Sequence, residues 1–188
     1  MNRINRLIGG IVVMALLALG GLVTSAQDSA AGKYAVRVPG GLAFSEFRGY
    51  EAWQTISLSR NDRFVAVILG NPEMIAAYKS GIPGNGKPFP DGVKMAKVHW
   101  TPKQSTLFPT ATVPGILANV DFMVKDSKRF GESGGWGYAV FDYDNASDSF
   151  TPGTEAGTPP QRNNAQCGFA CHSSARSRDY VFTEYGKR

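Results

Sequence analysis

Near its C-terminus the chain places both of its cysteines and one of its two histidines within six residues, as Cys167-Gly168-Phe169-Ala170-Cys171-His172. This cluster constrains the fold most, because its three reactive side chains are close enough to meet one partner. Two thiols followed at once by a histidine are typical of c-type haem attachment, in which the thiols bond covalently to the porphyrin and the histidine ligates the iron. We therefore predict that Cys167 and Cys171 attach a haem c and that His172 binds its iron.

The spacing differs from the usual attachment motif, which has two residues between the cysteines where this chain has three. We expect Gly168 to let the backbone absorb the additional residue, because glycine is conformationally permissive. Two alternatives stay open. A disulfide would close only a small ring, gain little from loop closure and leave His172 without a role. A zinc site would have three ligands where structural zinc needs four, with only His99 and carboxylates left to complete it.

The N-terminus predicts export from the cytoplasm, which covalent haem attachment requires. Two arginines precede an apolar and small-residue run over 7–23, and residues 24–26 are small enough for cleavage. We predict a signal peptide at 1–26, a single haem domain at 27–188 and a periplasmic location. A retained membrane anchor is the alternative, because the run is close to the roughly 20 residues that span a bilayer.

The charge pattern indicates no nucleic-acid partner. The formal net charge is only +5, and lysines and arginines are scattered among carboxylates, as over 125–129. A nucleic-acid surface needs a basic patch or stripe, which this sequence does not have. We expect these charges to form a solvated face.

The body of the chain predicts an α+β fold, mainly antiparallel β-sheet with a few short helices and a C-terminal haem-attachment segment, because short apolar runs alternate with glycine- and proline-rich turns. Phe47, Tyr50 and Trp53 recur at spacing three and predict a helix over 46–57. Asn71 is a predicted N-cap with proline directly after it. The other expected elements are strands at 64–69, 93–100, 116–124 and 137–143, a helix at 72–79, and loops at 82–91 and 151–164.

Several short motifs carry a resemblance to a known family. They are Asn71-Pro72-Glu73, Pro90-Asp91-Gly92 before Lys97, the stretch 124–130, Gly135-Trp136, and the cysteine cluster followed by Asp179-Tyr180-Val181-Phe182-Thr183. With these motifs the chain resembles the cytochrome P-460 family. The resemblance implies a mostly antiparallel β protein, a homodimer, one c-type haem, and chemistry with hydroxylamine and nitrogen oxides.

The resemblance also assigns two residues to the site. Lys97 falls where catalytic members carry a lysine covalently joined to the porphyrin edge, and on a strand it would share a face with Val93, Met95 and His99. A lysine that reaches solvent at the sheet edge is the alternative. Asp121 falls where hydroxylamine-oxidising members have a distal glutamate, which acts as a proton acceptor.

Two functions follow from these assignments. The first is hydroxylamine oxidation, with Asp121 moving protons and electrons passing to another periplasmic protein. The second is a nitric oxide carrier, sensor or scavenger related to the beta-type cytochromes c-prime. The strand face decides between them: the face of Asp121, with Asn119 and Met123, gives a polar pocket, whereas Val120, Phe122 and Val124 on the other face give an apolar cap.

Three further residues are candidates for the sixth position of the iron: His99, Met95 and Met123. A histidine or methionine on a strand is more often packed than ligating, and the resemblance implies an open position, so we expect none of the three to ligate. His99 lies one alternation from Lys97 and is expected to border the haem as a hydrogen-bond donor or proton carrier.

Overall fold

The computed structural model describes residues 32–38, 41–153 and 164–188, with the backbone alone at 164–167. The predicted signal peptide at 1–26 lies outside these residues, as does most of the predicted loop at 151–164. Within these ranges, no helix is both long enough and apolar enough to cross a membrane.

Six strands in the described part of the chain form one antiparallel sheet, in which each strand pairs with the next along the chain. The strands are β1 (Gln54–Arg60), β2 (Val65–Gly70), β3 (Lys94–Gln104), β4 (Thr112–Lys125), β5 (Trp136–Asp144) and β6 (Ser149–Pro152). The α-helices that accompany them include α1 (Pro72–Lys79) and α2 (Asn164–His172), and residues 32–35 form one further helical turn. This architecture confirms the predicted α+β fold with a mainly antiparallel sheet.

One face of the sheet is packed against the aromatic N-terminal segment. Phe122 of β4 stacks on Phe47 with ring centroids 4.0 Å apart, and Phe44 and Tyr50 meet Phe122 edge-on. All four side chains are buried. Each buried aromatic or aliphatic side chain of this size stabilises the fold by about 1.5–3 kcal/mol, so this face anchors the sheet.

The predicted helix over 46–57 is wrong. Two short 3-10 helices, Phe44–Phe47 and Tyr50–Ala52, occupy this segment, and β1 begins at Gln54. Gly49 lies between them with φ of 81°, a left-handed conformation that interrupts a helix. The aromatic side chains still face one core because the two turns bring Phe47 and Tyr50 to the same side of the sheet.

The N-cap of α1 is confirmed, and it also joins the helix to the sheet. Asn71 Oδ1 accepts hydrogen bonds from the backbone N–H of Met74 at 3.0 Å and of Lys94 at 2.9 Å. Its Nδ2 donates to the Gly92 carbonyl at 2.9 Å. One buried side chain therefore fixes the start of α1 against the start of β3.

The four predicted strands correspond to β2, β3, β4 and β5, and the structure adds two that were missed. In β1 only Ile56 is fully buried, so the strand lacks an apolar alternation that would reveal it. In β6, Thr151 pairs with Asp142 of β5, so the predicted loop at 151–164 begins later than expected.

Candidate haem site

Helix α2 holds the cysteine cluster and explains the three-residue spacer. Its backbone places position 167 one turn before Cys171. Residues three and four apart both share a helix face, so the longer spacer keeps the two positions on one side of α2. Cys171 is a free, exposed cysteine, while the side chain of Cys167 lies outside the described part of the structure.

Gly168 does not have the role expected of it. It lies within the regular helix α2, so the backbone does not need its flexibility to absorb the additional residue. A Cβ at this position would lie 3.4 Å from Cδ1 of Tyr138, which is ordinary van der Waals contact. Gly168 therefore packs α2 against β5 at a distance that a side chain would also allow.

His172 presents one ring nitrogen for ligation. Its Nδ1 lies 2.6 Å from the carbonyl oxygen of Tyr180, and because a carbonyl only accepts, Nδ1–H must donate. Burial lowers the pKa of His172, which favours the neutral imidazole. In this tautomer Nε2 carries the free lone pair, which is the arrangement that a metal-binding histidine requires.

A cavity of about 740 Å³ lies between His172 and the sheet. This volume is in the range of cofactor and small-molecule pockets. Its walls come from the sheet, from α2 and from the C-terminal segment, and they include Ile68, Met95, Lys97, Asn119, Asp121, Met123, Tyr138, Val140, Asp142, Gly168, Cys171, His172, Phe182 and Thr183.

The sheet wall of this cavity is the polar strand face. Lys97 and Asp121 are direct cross-strand partners between β3 and β4, and the pairs Met95–Met123 and His99–Asn119 flank them. The opposite face, with Val120, Phe122 and Val124, is buried in the aromatic core. The expected sharing of faces is therefore confirmed, and the polar face is the one that looks toward His172.

Asp121 is a carboxyl group with a strongly raised proton affinity. Burial raises its pKa to about 7, the positive charge of Lys97 opposes this shift, and the negative charge of Asp142 adds to it. The side chain keeps 39% of its surface accessible, and it lines the open cavity. Protein atoms therefore exclude much of the water around this carboxyl group, but a small molecule in the cavity can still reach it.

Lys97 is half-buried on the cavity wall. Among the described residues, its Nζ has no hydrogen-bond or ion-pair partner. Its charge is nevertheless felt by Asp121, His99 and His172, whose pKa values it lowers. A lysine without a fixed partner in this position can approach a group that fills the cavity.

His99 lies on the same strand face as Lys97 but beside the cavity, which it does not line. It is buried and in ring contact with Phe64 at 5.0 Å. Burial, followed by the charge of Lys97, lowers its pKa to about 4. The 3.7 Å contact between His99 Nδ1 and Asp121 Oδ2 is therefore not an ion pair at neutral pH. Of the three candidates for the sixth ligand, only Met95 and Met123 reach the cavity.

A family model for cytochrome P-460 matches residues 47–183, which is most of the chain. The chain belongs to the cytochrome P-460 family. No curated protein sequence matches it. The matched region contains Cys171, His172, Lys97 and Asp121. Membership implies that the protein binds haem, and it supports a haem c protein that acts on nitrogen compounds.

The cavity of the protein fits a haem. One wall offers the free Nε2 of His172 beside Cys171, the sheet wall opposite carries the apolar Met95 and Met123, and the C-terminal segment adds Phe182. Within the described ranges, no three His, Cys, Asp or Glu side chains are grouped to hold a metal ion; the side chain of Cys167, which the zinc alternative needs, lies outside them.

Sequence reasoning missed Tyr138 and Asp142, which line the same cavity. Tyr138 pairs with Met123, and Asp142 with Asn119, so both belong to the polar face. The signal was available, because period-two alternation along the predicted strand 137–143 puts the two on one face. The pairing of that strand with β4 was not readable from the sequence.

Proposed function

We propose that the protein is a periplasmic cytochrome P-460 that carries one haem c and oxidises hydroxylamine, passing the electrons to another periplasmic protein. The observation that supports this proposal is the Lys97–Asp121 cross-strand pair on the cavity wall that faces His172. The proposal includes export through the signal peptide at 1–26 and assembly as a homodimer.

The haem would be held by residues of α2. Cys167 and Cys171 would form the thioether bonds, and Nε2 of His172 would ligate the iron, since its Nδ1 already donates to Tyr180. The haem would supply an open coordination position for hydroxylamine and a path for its electrons. The sheet wall would then lie on the substrate side.

Asp121 would accept the protons. Oxidation of hydroxylamine by two electrons releases two protons, and a carboxylate beside the substrate can take them in turn. With a pKa of about 7, Asp121 both accepts a proton and returns it to solvent near neutral pH. Its side chain is one methylene shorter than glutamate and lies accessible on the cavity wall.

Lys97 would be joined to the porphyrin edge. Such a bond between Nζ and a ring carbon replaces one N–H and one C–H, so two hydrogens are lost to an oxidant such as molecular oxygen or a peroxide. The lack of a hydrogen-bond partner for Lys97 among the described residues is consistent with this role. The bond would fix the haem against β3.

The nitric oxide function has less support. It needs an apolar cap over the iron, and the residues expected to form it, Val120, Phe122 and Val124, pack into the opposite core. A carboxylate and an amine on the substrate side are more useful for moving protons than for storing a neutral diatomic gas.

The test is hydroxylamine turnover by the periplasmically matured holoprotein with a small-molecule electron acceptor. We expect Asp121→Asn to lower kcat/KM by about 100-fold or more, the usual effect of losing a general base. Asp142→Asn is the matched control, because Asp142 is a second cavity carboxylate one strand further away. Equal losses in both variants, or a wild-type protein that binds nitric oxide but shows no turnover, would reject the proposal.

A further inference from the structure

A buried ion pair joins the end of β4 to the C-terminal segment. Lys125 Nζ donates to Asp179 at 2.8 Å and 3.0 Å and to the Gly134 carbonyl at 2.9 Å. The two charged side chains are only 6% and 12% exposed. Because desolvation offsets most of the attraction within a buried ion pair, such a pair adds little net stability. Net stability therefore does not explain why this ion pair is present.

The residues that follow the ion pair have an unusual backbone. The 3-10 helix Ser173–Arg178 is followed by Asp179 as its C-cap. Both Asp179 and Tyr180 have a left-handed backbone conformation, with φ of 49° and 65°. For residues other than glycine such conformations are strained, and they persist only where the surroundings impose them. Asp179 is held at its side chain by Lys125 and by the Phe89 N–H, which donates to Oδ2 at 2.8 Å.

Tyr180 connects this backbone to the haem ligand. Its carbonyl accepts the hydrogen bond from Nδ1 of His172 at 2.6 Å. Its ring packs directly on Gly134, where an added Cβ would lie 2.2 Å from the ring. The carbonyl of Gly134 thus accepts a hydrogen bond from Lys125, and the same residue limits the position of the Tyr180 ring.

We propose that Lys125 and Asp179 are positioning residues for His172. The ion pair fixes the left-handed turn, and the turn aims the Tyr180 carbonyl at Nδ1. The strength of that hydrogen bond sets the orientation of the imidazole and its basicity toward the iron. The proposal rests on haem ligation by His172, but it does not depend on hydroxylamine oxidation.

The test compares Asp179→Asn with the double variant K125M/D179N, each matured with haem. Asparagine keeps an oxygen for the Phe89 N–H and tolerates the left-handed conformation, but it loses the charge that Lys125 holds. We expect the iron–histidine stretching band of the ferrous protein to move to lower frequency and the reduction potential to rise. Both shifts follow from a weaker hydrogen bond at Nδ1, which makes the imidazole a weaker donor to iron.

The double variant separates positioning from stability. It removes the unpaired charge of Lys125, so its unfolding temperature should exceed that of D179N, while its iron–histidine band stays shifted. Arg129→Gln is the control, because it breaks an accessible ion pair with Glu46 at 2.7 Å, away from His172. Its band should match the wild type.

A wild-type band in both D179N and the double variant, even with lowered unfolding temperatures, would overturn the proposal. An equal shift in R129Q would do the same. If D179N does not retain haem, the iron–histidine band of the double variant decides: a shifted band supports the proposal, and a wild-type band overturns it. A wild-type protein without haem after maturation would instead reject the ligand assignment of His172.

Discussion

The raised pKa of Asp121 predicts a specific pH dependence of hydroxylamine turnover. The group acts as a base only when it is ionised, and with a pKa of about 7 it is about one-tenth ionised at pH 6 and about nine-tenths ionised at pH 8. The contribution of Asp121 to kcat/KM should therefore rise at least about tenfold between these pH values, because a bond from Lys97 to the porphyrin would remove the positive charge that holds this pKa down. An aspartate at its ordinary pKa would be fully ionised at both, and would give no rise.

The assay measures kcat/KM of the matured holoprotein and of Asp121→Asn at each pH. Hydroxylamine itself titrates at mildly acidic pH, so the ratio of wild type to variant is the informative quantity, because the substrate's own titration cancels in it. We expect this ratio to rise at least about tenfold from pH 6 to pH 8. A ratio that stays constant, or that falls with pH, would refute the assignment of Asp121 as the base.

Three further predictions concern attachment and folding. Cys171→Ala should weaken covalent haem retention while Ser174→Ala, three residues further along, should not; a haem-stained denaturing gel measures this, and a band of normal intensity for C171A would count against attachment. Phe122→Ala should destabilise the fold by about 3–5 kcal/mol in denaturant unfolding, whereas Phe108→Ala, at a 66% exposed position, should change it by less than about 0.5 kcal/mol. Asn71→Ala should cost about 1–2 kcal/mol in the same assay, and an unchanged midpoint would contradict its capping role.

Local patterns were sufficient to predict much of the fold. The apolar runs of β2 and β5 and the Asn71 cap of α1 depend on neighbours in the sequence, and these predictions are confirmed. The predictions for two segments were incorrect, in each case for a local reason. Gly49 interrupts the aromatic spacing that predicted a helix, and β1 carries one fully buried side chain in a polar strand.

The site depends on contacts that the sequence does not encode locally. Alternation divides β4 into a polar and an apolar face, but only the docking of α2 decides which one meets His172. Lys125 and Asp179 lie 54 residues apart, and their ion pair has no signal in spacing or periodicity. The family resemblance supplied Lys97 and Asp121, and the register of β3 against β4 brings them opposite each other.

The most direct test is the ferrous absorption spectrum of the periplasmically matured protein together with its intact mass. We expect a band shifted far to the red, and a mass equal to the mature chain plus haem minus the two hydrogens lost at Lys97. The Lys97→Arg variant should show neither change. An ordinary high-spin c-type spectrum with the full haem mass would contradict the cross-linked enzyme and favour the nitric oxide binder, and a protein without haem would return the cysteines to the disulfide alternative.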